Sequence, residues 1–314
     1  MGLFVCMGIN MKLEKIWNFI KKYWPLFLSV LVVFILGIGY LIYHAYHNYE
    51  ENKDEAVYEE IRSNVYNYDF AKSLSESSDS ISNIDNDEET KDNYYVEEFL
   101  NKCGNRSLYN EYLNSVPDFN KLISDNEDVV GYVVIPETPV SYPVLQNPDN
   151  EYYLNNSIQK QPNANGAIFI ENYNSRYIND PVTIIYGHHL LNKAMFGSLT
   201  DYYYDDEYLN NHPYFIIYTP DYTKVYEIVE TSKYSTQHLL VDDFAKDSEG
   251  NIVFTGIKRN DQVNIYNKIK SYNYKKSYYT DEEITSEDEL VVLSTCVDNS
   301  THRYLVVGKC ILCK

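Results

Sequence analysis

Residues 24–43, WPLFLSVLVVFILGIGYLIY, carry no charged side chain. A helix of about 20 such residues, rising ~1.5 Å per residue, spans a ~30 Å hydrocarbon core. In lipid only a helix satisfies every backbone group of a single segment, so this stretch reads as a transmembrane helix. Lys12, Lys15, Lys21 and Lys22 precede it against a single Glu14, which predicts a cytoplasmic N-terminus over residues 1–23 and a chain that lies outside the cell after the span. No small-residue cleavage site of the A-x-A type follows, so the segment is expected to stay as a single-pass anchor. Met11 opens MKLEKIW and is an alternative start to Met1.

Residues 44–92 read as an acidic stalk, helical over 50–72 and then a flexible spacer. The run SLSESSDSISNIDNDEETKD at 73–92 has too little apolar surface and too much like charge to hold a fold of its own. From 93 to 314 the pattern changes. Leu108 to Asn114 and Phe119 to Ser124 read as helices, with Pro117 near the start of the second, and helices extend to about 126. Beyond them come short apolar runs, 131–135 and 140–145 across the turn Pro136-Glu137-Thr138-Pro139, then 167–170, 182–186, 214–218, 224–231, 289–295 and 303–312. Such runs at irregular spacing predict a mostly β domain over about 127–312, closed or nearly so. Arg259 to Ser271 has apolar residues at Val263, Ile265, Tyr266 and Ile269, the spacing of one amphipathic helix.

Three chemically able side chains stand at or just past strand ends: His188 in IIYGHH, Cys296 in VVLSTC, and Arg303 seven residues after the cysteine. A thiolate is a nucleophile favoured by nearby positive charge, an imidazole moves protons near neutrality, and a guanidinium donates fixed hydrogen bonds to an oxyanion. Each has a plain structural alternative. A cysteine on a buried strand is often a small core residue, Tyr186-Gly187-His188-His189 could be a turn with solvated histidines, and Arg303 could be a surface charge.

The combination of IIYGHH with VVLSTC and a downstream arginine resembles the sortases, cysteine transpeptidases of the Gram-positive cell surface. GYVVIPETPVSYPVLQ at 131–146, NPDNEYYL at 147–154 and MFGSL at 195–199 resemble class B in particular, and the likeness covers about 105–312. It implies a sortase-type closed eight-stranded β-barrel with N-terminal helices and an added helix before the last two strands. It also implies Cys296 as nucleophile, His188 as general acid and base, and Arg303 as support for the oxyanion and substrate. Asn150, Leu154, Ser294 and Thr295 are the implied contacts to a sorting peptide of the NPxTx kind. The implied partners are secreted proteins with a C-terminal sorting signal and a peptidoglycan precursor or cross-bridge amine. Val297 departs from the pattern, since some relatives carry an acidic or polar residue after the cysteine.

His189, His302, His212 and His238 compete with His188 for the proton-transfer role. His302 neighbours Arg303 and so faces the opposite side of a strand, whereas only the resemblance chooses between His188 and His189. An L,D-transpeptidase would have its arginine two residues after the cysteine, and a papain-like peptidase would put its cysteine before the histidine, at a helix start. A non-catalytic surface barrel is the other alternative, and it predicts an inert Cys296.

The net charge of −20 and the lack of a basic block beyond the juxtamembrane lysines argue against nucleic acid as a partner. With no Gly-rich phosphate loop, HExxH or paired CxxC, no cofactor and no metal are expected. The 34 tyrosines scatter through strands and loops and read as core and surface aromatics. Five cysteines in 314 residues make no disulfide framework: Cys6 precedes the span, Cys103 lies in the helical lead-in, and Cys310 and Cys313 point to opposite faces of a strand.

Overall fold

In a computed structural model, which describes residues 2–65, 87–205, 207–272, 277–297 and 301–314, the short apolar runs become paired strands. They are β1 (Val129–Val134), β2 (Ser141–Leu145), β3 (Phe169–Ile170), β4 (Val182–Tyr186), β5 (Tyr214–Tyr218), β6 (Thr223–Tyr234), a separate hairpin of β7 (Phe244–Lys246) and β8 (Ile252–Phe254), β9 (Tyr278–Tyr279), β10 (Leu290–Val297) and β11 (His302–Cys313). Nine of them bond in the order β11-β10-β4-β3-β2-β1-β5-β6-β9, and a further β11–β6 pairing closes the first eight into a barrel. β9 is left as an outside strand on β6. Closure gives the barrel strands partners on both sides, so no long open edge remains. β4 with β10 and β2 with β3 run parallel.

The helices are α1 (Gly2–Val65), α2 (Asp87–Lys102), α3 (Arg106–Asn114), α4 (Phe119–Asp125), α5 (Asn150–Leu154), the single turns α6 (Asp201–Tyr204) and α7 (Tyr208–Asn211), and α8 (Asp261–Ser271). Their starts follow capping chemistry. Asn105, Asp118 and Asp149 each accept a backbone N–H of the first turn of α3, α4 and α5 through the side chain. The expected eight-stranded barrel, its N-terminal helices and the helix before the last two strands are all present.

α8 explains why β4, β10 and β11 read as unbroken apolar runs rather than alternating ones. Ile185, Val291, Leu293, Tyr304 and Val306 fill the barrel interior. The intervening Val182, Ile184, Leu290, Val292, Leu305 and Val307 pack outside it against Ile265, Tyr266 and Ile269 of α8. Strands covered on both faces have no polar side to show. Burying a residue such as Ile269 contributes roughly 1.5–3 kcal/mol.

The chain divides into two units, Met1–Ala56 and Val57–Lys314. In the first, Ile20–Tyr46 is a helical segment of 27 residues with mean hydropathy 2.6, long and apolar enough to cross a membrane. In the second, the last turns of α1 differ from the stalk that composition predicts. Tyr58 and Val65 are buried, the Tyr58 ring meets Tyr142 edge-on at 5.0 Å, and Val65 O accepts the N–H of Asp118. The apolar positions Val57, Tyr58, Ile61 and Val65 recur at helical spacing and outweigh the acidic residues around them. α2 likewise runs across the expected boundary at residue 92, and the spacer residues 73–86 lie outside the described residues. Removing residues 1–92 therefore strips part of the core. Such a shortened protein is expected to melt roughly 5–15 °C below one starting near residue 48 in a thermal scan.

Glu230 on β6 is fully buried, with Ser232 Oγ donating to its carboxyl at 2.8 Å. Burial pushes it up to about 8. A raised carboxyl holds its proton more tightly when folded, so its contribution is complete below the unfolded value of ~4.3 and is lost as pH rises through the folded one. Glu230→Gln is expected to raise the melting temperature at pH 9 relative to the parent, and to change it little at pH 5.

Candidate active site

The antiparallel register of β10 and β11 sets Cys296 directly opposite Arg303, and Arg303 lies in turn opposite Tyr234 on β6. The alternation described above puts both side chains on the outer face of the barrel, beyond the end of the α8-covered core. There Arg303 Nη1 donates to Cys296 Sγ. Both residues are half-buried and reachable.

β4 brings the histidine. Its parallel register with β10 runs from Val182↔Leu290 to Tyr186↔Ser294, and Gly187 N continues it by donating to Ser294 O at 3.1 Å. Two residues past Tyr186 is His188, and two past Ser294 is Cys296, so both groups follow the same end of the β4–β10 pairing. The His188 ring is held by Leu154, whose carbonyl accepts from Nε2 at 2.8 Å. That leaves Nδ1 as the basic nitrogen of the neutral ring. His189 turns elsewhere. Its Nε2 meets Thr200 Oγ1 at 3.4 Å, and burial with Lys193 holds its pKa below the usual histidine value.

Gly166 supports the His188 ring from below. Its φ is +57°, and a Cβ there would lie 2.6 Å from Tyr153 O and 2.9 Å from both His188 Cδ2 and Leu154 O. Only glycine suits both the backbone angle and the space. Gly166→Ala is expected to shift the imidazole and lower kcat about 100-fold, since displacements near 1 Å can cost that much. Parallel melting of the variant separates this from unfolding.

The expected peptide contacts divide. Leu154 is 37% exposed beside the histidine that its carbonyl holds. Ser294 lies on the Cys296 face but is 2% exposed. Asn150 has both ends of its amide in use: Nδ2 donates to Glu171 Oε1 at 2.6 Å, and Oδ1 accepts the N–H of Asn172 at 2.8 Å. Thr295 is not brought to this face. It is buried with the inward series of Val291 and Leu293, and its Oγ1 finds no partner among the described residues. Val297 is inward too, packed in the interior core, so a side chain there has no route to a substrate.

Of the remaining histidines, His212 packs on Tyr208 and Pro136 O, and His302 pairs across the strands with Val297. His238 bonds Glu171. Glu171 is the residue that sequence reasoning passes over, although a lone acid ending the apolar run AIFI is a signal. Burial raises its pKa, but hydrogen bonds from His238, Asn150 and Tyr186 more than offset this and hold it below the usual glutamate range. Tyr186 is half-buried, and desolvation of its phenol beside that carboxylate keeps its proton far above the ordinary range.

The sortase domain family matches residues 133–311. The chain is 30% identical over 201 residues to sortase B of Staphylococcus aureus, covering 62% of this chain and 75% of the relative. It is also 30% identical over 202 residues to sortase B of Listeria monocytogenes, covering 63% and 75%. A solved structure of sortase B from B. anthracis, with 27% identity, superposes with a TM-score of 0.50 over 62% of this chain and 85% of that one.

Proposed function

Because the chain belongs to the sortase family of cysteine transpeptidases, and within it to class B, we propose that it is a membrane-anchored extracellular enzyme acting on secreted proteins that carry an NPxTx-like C-terminal sorting motif. Cys296 is the nucleophile, His188 the general acid and base, and Arg303 the donor to the oxyanion. The observation that carries this reading is the pairing of Cys296 with Arg303 across β10 and β11, with His188 two residues past the end of β4, the strand that runs parallel to β10.

The steps follow from that geometry. The Cys296 thiol gives its proton to Nδ1 of His188, the resulting thiolate attacks the carbonyl carbon of the motif's threonine, and the carbonyl π electrons move to oxygen, where Arg303 donates hydrogen bonds. Collapse breaks the C–N bond, His188 gives its proton to the departing amine, and a thioacyl enzyme remains. A cell-wall peptide amine then attacks the thioester. His188 takes the amine proton, the thiolate leaves, and a new amide joins protein to wall. The apolar segment Ile20–Tyr46 after a lysine-rich start supports an anchor with the N-terminus in the cytoplasm.

Incubating the detergent-solubilised full chain with a panel of sorting-motif peptides, followed by mass spectrometry, tests the reading. An acyl adduct on Cys296 with an NPxTx-like peptide is the expected result. A folded protein that forms no adduct with any of them would sink it.

A further inference from the structure

Glu171 lies one residue past β3, fully buried, beside the strip of active-site residues. A carboxylate out of water is tolerated only when its lone pairs are met. Three donors from three separate parts of the chain meet them: Asn150 Nδ2 from the start of α5 at 2.6 Å, Tyr186 OH from the end of β4 at 2.9 Å, and His238 Nε2 at 2.9 Å.

The path of the segment carrying His238 gives this cluster its meaning. The chain leaves β6 at Tyr234, which stands opposite Arg303, and four residues later His238 bonds Glu171 beside β3. In the sheet order β6, β11, β10, β4, β3, that crossing passes over the strands that bear Arg303, Cys296 and Tyr186. Leu239 and Leu240 are pinned beneath it in the outer core. We propose that Glu171 is a positioning residue for the substrate path, holding the 235–243 segment on one side and the start of α5 on the other. The inference rests on the peptide-transfer reading above and extends it to residues remote from the thiol.

His238 invites a different role, since a half-exposed imidazole on a buried carboxylate is the arrangement of a general base. Its hydrogen bonds exclude that. Nδ1 accepts the N–H of Leu240 at 3.1 Å while Nε2 donates to Glu171, so neither nitrogen has a lone pair to offer. The ring works as a latch. Asn150 is likewise spent on structure, so its contribution to peptide binding is to fix the wall on which Leu154 stands.

The test uses the full chain in detergent, with His238→Phe, which keeps a ring beside Phe244 but loses the donor, and His238→Gln, which keeps a donor. KM for a cleaved sorting peptide is expected to rise about tenfold in His238→Phe with kcat within roughly twofold of the parent. Amide exchange in 235–243 is expected to speed up alongside it, and His238→Gln to recover both. A folded His238→Phe with parental KM, or with parental exchange in that segment, overturns the proposal, as does a fall in kcat at constant KM. If the parent turns over no sorting peptide, the functional reading fails separately, and the exchange measurement alone then decides the latch.

Discussion

Cys296→Ala is expected to abolish both the acyl adduct and turnover, a loss of at least ~10⁴-fold of the size seen when a catalytic nucleophile is deleted. Among the described residues no neighbour on that face can take over. Ser294, the other hydroxyl or thiol on that face of β10, is 2% exposed, and burial pushes the Cys310 thiol up to about 12. Cys296→Ser is expected to be nearly as inactive, and the reason is particular to this site. A serine nucleophile needs a base oriented and charged by a carboxylate, whereas the His188 ring is held by a neutral carbonyl, that of Leu154. Peptide cleavage followed by chromatography, with intact-mass analysis of the protein, measures both variants. An adduct surviving in Cys296→Ala would place the nucleophile elsewhere.

Arg303→Ala carries the second largest expected effect, a fall in kcat of about 10²–10³-fold, the cost of one lost oxyanion donor. Two losses combine, since Arg303 also donates to Cys296 Sγ in the resting enzyme. Arg303→Lys is expected to recover little of it. An ammonium keeps the charge but is a single point, and it has no planar fork to serve sulfur and oxyanion together. Steady-state kinetics separate the terms. A variant with raised KM and parental kcat would make Arg303 a binding residue and remove it from the chemistry.

Cys296, His188 and Arg303 stood out in the sequence because each lies at an end of a readable strand, Cys296 near the end of β10, His188 two residues past β4 and Arg303 at the start of β11. VVLSTC lies on β10 and IIYGHH on and just past β4, the parallel strand beside it, and the apolar character of β4, β10 and β11 survives because α8 covers their outer face. Faces were harder to read. Thr295 and Val297 flank the thiol in sequence yet point into the barrel, a consequence of strand pairing that continues through Val297↔His302. Composition gave no hint that the end of the helical stalk packs on the barrel, where four apolar positions at helical spacing, Val57, Tyr58, Ile61 and Val65, bind the end of α1. The Glu171–His238 contact joins residues 67 apart, and no local pattern announces it. His238 could be judged only as a rival base until its partner was known.

The site has a history within the life of each molecule. Cys296 lies on the next-to-last strand, and its guanidinium partner on β11, the strand that closes the barrel against β6. Ribosomes deliver chains from the N-terminus, so the histidine emerges more than a hundred residues before the thiol, and the arginine after both. Until β11 pairs with β10 on one edge and β6 on the other, Arg303 does not stand opposite the sulfur. A nascent or half-threaded chain thus lacks the Cys296–Arg303 contact, and the proposed acyl-transfer site is complete only once the last strand has closed the barrel.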